Sequence, residues 1–179
     1  MHIRILAGPS GSGKSTHINK TELLESKARG NRLGDQVLTN LIDGQPVNFY
    51  DGDVVILSAD DITFDEEGFH IGRLGGAHAC CMQAFVRILM LEEKDRPQVL
   101  IVDNTNTSAW EIAPYVALAQ TFEDVELEVL VFERDWESCL KRTSHGTPAH
   151  AVRQQARRLS RTLDEWPAYW PQPTFVPAN

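Results

Sequence analysis

What the chain lacks narrows it first. It has no run of about 18 apolar residues and no charged-then-apolar leader, so neither a membrane span nor a signal peptide is indicated. Cysteine is scarce: there are three, and Cys80 and Cys81 are neighbours. Three thiols cannot form a fully paired disulfide set, and no zinc-type Cys/His spacing occurs. Reduced thiols in a cytoplasm are the plain reading. Internal repeats and low-complexity segments are also missing. Positive charge is in short supply, with 17 Lys and Arg against 25 Asp and Glu, for a net charge of −8. That balance argues against a protein that clings to nucleic acid over its whole surface. The distribution is uneven, however. From Trp136 onward, six basic residues (Lys141, Arg142, Arg153, Arg157, Arg158, Arg161) face three acidic ones, giving +3, so the first 135 residues carry −11.

What is present reads as one ordinary globular domain. The chain has 179 residues, 42% apolar and 23% charged, within the usual range for a single soluble domain. Short runs rich in Val, Ile and Leu alternate with helical patterns. "IRILAG" precedes "GKSTHINKTELLESKA", "DVVILSAD" precedes "AHACCMQAFVRILMLEEK", "QVLIVDN" precedes "SAWEIAPYVALAQTF", and "VELEVLVFE" precedes "DWESCLKR". This pattern predicts a doubly wound, mainly parallel sheet with helices on both faces. In such sheets, ligands sit beyond the carboxyl ends of the strands. Those ends carry Gly8, Asp60 and Asp61, Asp103, and Glu133. Residues 29–52, with Gly30, Gly34, Gly44 and Gly52, read as an inserted hairpin centred on an Asp-Gly turn. The segment 143–162 reads as a helical lid and basic helix closing a domain at 1–165. The Pro- and Trp-rich tail, 166–179, is expected to lie extended against the body.

"GPSGSGKST", from Gly8 to Thr16, fits G-x-x-x-x-G-K-[ST] and stands between a strand and a helix. The glycines let successive N–H groups turn inward towards phosphate oxygens. Lys14 would reach the β- and γ-phosphates, and Ser15 would offer its hydroxyl to Mg²⁺. The next helix presents its positive end to the same anion. Gly8, Ser10, Gly11, Ser12, Gly13, Lys14, Ser15 and Thr16 are therefore the candidate contacts for ATP. The expected class is an α/β P-loop NTPase.

The loop does not say where the γ-phosphate goes. A kinase must hold an acceptor hydroxyl in line and accept its proton, whereas a hydrolase orients water. "VVILSADD" ends a strand in two carboxylates, only one of which can face a site while the backbone stays extended. Either could instead cap the next turn. "VLIVDNTN" places Asp103 at another strand end, as a candidate magnesium-water carboxylate. Asn104, Thr105 and Asn106 follow as short polar groups for an acceptor or for Mg²⁺-bound water, or as an Asx-type turn before a helix from Ser108.

Five short stretches in order, "GPSGSGKST", "SADD", "AH" at Ala77–His78, "VDNTN" and "KRTSHGTP" at Lys141–Pro148, carry a resemblance over roughly residues 1–160. The chain resembles the P-loop kinases related to the kinase domain of phage-type polynucleotide kinase, including the ATPase domain of the Nedd4-binding-protein group. The resemblance implies transfer of phosphate from ATP, with Mg²⁺, to a hydroxyl, typically the 5′-OH of a polynucleotide. It implies that Asp60 is the general base, that Asp103 and Asn104 belong to the site, and that Arg142 reaches the nucleotide phosphates.

The expected catalytic set is thus Asp60, Lys14 and Arg142. Arg142 and His145 join the nucleotide contacts. Ser15 and Asp103 hold the metal, and Asp61, Arg73, Asp103, Asn104 and Asn106 meet the acceptor. The sequence departs from the phage-type pattern at His145, where a second basic residue would stand, and at Thr63, where an acceptor-binding Arg would stand. Arg73 is the candidate substitute. Arg153, Arg157 and Arg161 recur every four residues, as a solvated face or as a track for a phosphate backbone. Trp166, Tyr169 and Trp170 could stack on bases or pin the tail. His78 reads as a packing or capping histidine, with a substrate contact as the other possibility.

The expected partner is a nucleic-acid substrate, DNA ahead of RNA, with either a terminal 5′-OH or a base hydroxymethyl group as acceptor. A kinase of a small metabolite or nucleotide, and an ATP-binding regulatory module, are the rival expectations.

Overall fold

The computed structural model describes residues 1–20, 48–50, 54–60, 64–65, 68–69, 74–143 and 146–177. Its strands are β1 (His2–Ala7), β2 (Asn48–Tyr50), β3 (Val54–Leu57), β4 (Phe64–Asp65), β5 (Gly68–Phe69), β6 (Val99–Val102), β7 (Glu126–Val131) and β8 (Thr174–Phe175). Its helices are α1 (Lys14–Lys20), α2 (Leu74–Leu89), α3 (Ala109–Ala119), α4 (Trp136–Arg142) and α5 (Ala149–Asp164), with a 3₁₀ turn at Glu93–Asp95.

The main sheet runs β2-β3-β6-β1-β7-β8. Five of its strands are parallel, and β2 pairs antiparallel with β3 at one edge. β4 and β5 form a separate two-stranded antiparallel pair. The parallel strands are apolar on both faces because helices cover both. Ile3, Ile5, Val55, Leu57, Leu100, Val102, Val129 and Val131 pack on one face with α2, α3, Leu159 of α5 and Trp170. Leu6, Ile56, Ile101 and Leu130 form the other face with Ile18 of α1. On α2, Ala77, Cys81, Ala84, Phe85 and Ile88 are buried at the spacing of one helical stripe, while His78 is exposed and so does not pack there. All three cysteines are free thiols.

Connectivity places the site. The chain leaves β1, travels outward to β3, returns to β6 beside β1, and crosses to β7 on the far side of β1. Strand order therefore reverses at β1, and a crevice opens beyond its carboxyl end, where Gly8 lies.

The hairpin expected at 29–52 lies outside the described residues except for 48–50, which form β2. The tail does more than lie against the body. Its Thr174 and Phe175 add a parallel strand beside Leu130 and Val131, and Val176 donates its N–H to the Val131 carbonyl at 2.9 Å. Trp170 is buried and meets Trp166 edge to face, with centroids 5.1 Å apart. Trp166 donates Nε1–H to the Pro171 carbonyl at 3.1 Å. These two indoles pin the tail, while Tyr169 and Phe175 stay exposed. The segment expected as a lid is also docked. Val152, Leu159 and Thr162 of α5 are buried, and Leu159 belongs to the main core.

A buried aromatic in the tail makes it part of the folding unit. Trp170→Ala should cost about 3–5 kcal/mol in urea unfolding; a tail merely resting on the surface would cost within about 0.5 kcal/mol.

Candidate active site at the glycine loop

The loop between β1 and α1 takes a shape that ordinary residues resist. Gly11 and Gly13 have φ of +81° and +109°, a region costly for residues with a Cβ. At Gly11 space is closed as well: a Cβ there would stand 2.1 Å from the Cys139 carbonyl oxygen at the end of α4. That contact sets α4 directly on the loop. Asp135 starts α4 by accepting a hydrogen bond from the Ser138 N–H at 2.8 Å. Arg142, in its last turn, puts a guanidinium nitrogen 3.6 Å from where a Cβ of residue 13 would be. Arg142 therefore lies beside the loop.

Lys14 is the charge at the centre. Its ammonium donates to the carbonyls of Gly8 at 2.9 Å and Pro9 at 3.2 Å, and the residue is only 9% exposed. Burial lowers its pKa below the ordinary 10.5, while the carboxylates of Asp103 and then Asp60 oppose that fall. Both acids thus act on the loop lysine. They stand in a row set by strand order: Asp60 follows β3, Asp103 follows β6, and the glycine loop follows β1. Asp103 is half-buried and Asp60 exposed. The Ser15 hydroxyl donates to Asp103 Oδ2 at 3.3 Å, so the two residues expected to share a metal are already neighbours.

The segment after β6 fastens the strand ends together. Asp103 donates its N–H to Leu57 of β3 at 2.9 Å, and Gly8 donates its N–H to the Thr105 carbonyl at 2.8 Å. Asn104 and Asn106, expected to meet the acceptor, are instead 6% and 3% exposed. Their amides are used internally. Asn104 Oδ1 accepts from the Ala59 N–H at 2.9 Å, one residue before Asp60. Asn106 adopts φ +41° and donates to the Leu6 carbonyl at 2.8 Å. Left-handed backbone is tolerated by Asn better than by most residues, and the buried amide holds that turn against β1.

Ser10, Ser12, Ser15 and Thr16 occupy the loop and the first turn of α1 as the motif requires, with Ser15 and Thr16 exposed and Ser12 buried. Asp61, Arg73, His145 and the Thr63 position lie outside the described residues. Gln155 of α5 was missed from the sequence. Its side-chain oxygen accepts the Ser10 N–H at 2.9 Å, yet a glutamine in a polar helix carries no signal of such a contact. Thr162 was missed for the same reason; it donates to the Thr107 carbonyl at 3.0 Å.

A parallel α/β sheet whose central strand opens into a lysine-bearing glycine nest, with helices on both faces, is the P-loop NTPase fold. Residues 3–165 match the family model described as AAA domain, and the chain belongs to that family. Among solved structures it is similar to the one described as "Structure of the Pnkp1/Rnl/Hen1 RNA repair complex", with TM-score 0.56 and 20% identity, covering 96% of this chain and 48% of that one. It thus spans about half the length of that neighbour. It is also similar to deoxyadenosine kinase from M. mycoides with bound dATP, with TM-score 0.47 and 14% identity, covering 99% and 91%. No helix among the described residues is long and apolar enough to cross a membrane.

Two outcomes follow from these contacts. Because folding lowers the Lys14 pKa, the unfolded chain binds more protons than the folded one between the folded value and 10.5, so stability rises with pH across that window. The burden of the charged lysine is full below its folded pKa and is relieved as pH climbs. Urea midpoints of wild type should therefore gain on those of Lys14→Met between neutral pH and 10.5. Asn104→Ala strands the buried Ala59 N–H, which should cost about 1–3 kcal/mol.

Proposed function

We propose that this chain is an ATP- and Mg²⁺-dependent phosphotransferase that moves the γ-phosphoryl group to a hydroxyl of a nucleic acid, DNA ahead of RNA. The observation that carries this reading is the row Asp60, Asp103, Lys14, with two carboxylates acting on one buried loop lysine.

The residues suit the groups they would hold. Gly11 and Gly13 turn backbone N–H groups inward, Lys14 adds a positive charge, and Arg142 stands beside the loop to bind phosphate oxygens. Ser15 and Asp103 supply one hydroxyl and one carboxylate, a sparse set that suits Mg²⁺, which keeps several waters and shares substrate phosphates. Among the described residues there is no cluster of three or more His, Cys, Asp or Glu side chains that could hold an ion alone. The divalent ion supplies charge neutralisation on the phosphates when bound.

The two acids divide the work by position. Asp103 is the inner one and is engaged with Ser15, so it belongs with the metal. Asp60 is the outer and exposed one, carried by a backbone that Asn104 clamps at Ala59. It can meet an acceptor hydroxyl on the open side. A carboxylate is a weak base. It suffices where the proton moves late, as the phosphoryl group arrives through a loose transition state. Arg142 and Lys14 stabilise the charge that develops on the transferring group. The positive balance of the chain after Trp136 supports a polyanionic acceptor over a small neutral one.

The test is γ-labelled ATP offered to 5′-OH DNA, 5′-OH RNA, hydroxymethyl-base DNA and free nucleosides. Label should pass to nucleic acid, and Asp60→Asn should lower kcat about 10²–10⁴-fold with the KM for ATP nearly unchanged. Transfer to nucleosides alone would replace the acceptor assignment, and full activity in Asp60→Asn would remove the base.

A further inference from the structure

We infer that the outward face of α5 is a track for the phosphate backbone of single-stranded nucleic acid, and that Trp110 at its end is a stacking platform for a base. This deepens the proposed function and rests on it. The helix has two unlike sides. Val152, Leu159 and Thr162 face the body, whereas Arg153, Arg157 and Arg161 are exposed. At 1.5 Å of rise per residue these arginines follow one another about 6 Å apart, comparable with the phosphate repeat of an extended strand. The only acid on the helix is Asp164, at its end. Among the described residues, neither Arg157 nor Arg161 forms an ion pair. In a chain of net charge −8, an uncompensated basic stripe is the exception, and its complement is a polyanion.

Arg153 stacks over the Trp136 ring at 5.6 Å, which holds the first guanidinium of the row in place. The helix borders the site along its length. Gln155 bonds to the glycine loop at Ser10, and two turns later Thr162 bonds to the Thr107 carbonyl after β6. That second bond ties the last turns of α5 to the segment leading into α3, whose second residue, Trp110, is 73% exposed. Tryptophan is usually well buried, and an exposed indole can take an unpaired base on its face. Base-on-aromatic stacking requires a base free of its duplex partner, which is why the assigned ligand is single-stranded.

The experiment follows the anisotropy of a fluorescein-labelled oligothymidylate in a salt titration, with unchanged thermal midpoints confirming that each variant folds. Arg157→Gln with Arg161→Gln should make the slope of log K against log salt shallower by about 1.4, the share of two single-strand phosphate contacts. Trp110→Ala should weaken binding roughly 5- to 100-fold at every salt concentration with the slope unchanged. Identical slopes for wild type and the double variant overturn the track, and do so without touching the proposed function if wild type still phosphorylates oligonucleotides. Oligonucleotide binding that follows the expected slopes, but without phosphate transfer to any nucleic acid, keeps the track and removes the proposed function. Failure of wild type to bind oligothymidylate, with transfer to free nucleosides only, overturns both.

Discussion

A lysine ammonium almost shut off from water is the constraint on which the architecture turns. Removing such a charge from solvent is costly unless hydrogen bonds and opposite charges compensate. Here the compensation comes from three strands. The Gly8 and Pro9 carbonyls follow β1, Asp103 follows β6, and Asp60 follows β3. Satisfying one cation therefore draws three strand ends to the same point. The backbone bonds from Asp103 to Leu57 and from Gly8 to Thr105 then hold them there, so the chemistry and the sheet edge are parts of one arrangement.

A second layer presses on that point from outside the sheet. The end of α4 sits on Gly11 so closely that no side chain fits between them, and α5 contributes Gln155 to Ser10. A loop restrained from both sides holds its shape without help from a ligand. Catalytic electrostatics work best when the dipoles are arranged beforehand. Through Leu159 and Thr162, α5 is fastened to the body beside the site.

Much of this was readable in the sequence, and the exceptions share a cause. The strands and the glycine loop announce themselves locally, through runs of branched apolar residues and one spaced motif, and the row of acids follows once the strand ends are aligned. The inward roles of Asn104 and Asn106 were not visible. A polar residue after a strand looks the same whether it meets substrate or the backbone of a neighbouring strand 45 residues away in sequence, as Ala59 is. The docking of α5 was hidden as well, because its arginines mask a narrow apolar stripe of Val152 and Leu159. β8 was missed as a strand because two residues set among prolines make no run; their pairing is decided by Val131 and by the buried Trp170.

The position of β1 has a consequence for how this molecule comes into being. Its Ile3 finds its partners in Leu100 on one side and Leu127 on the other. The earliest strand in the sequence is thus enclosed only once β7 has been made. On a ribosome, the phosphate-binding loop is synthesised early but cannot take up its working shape until residues more than a hundred positions later have emerged. Closing such long loops before any contact rewards them slows folding. A nascent chain stalled before β7 would expose an apolar strand edge of β1, the kind of surface that chaperones recognise.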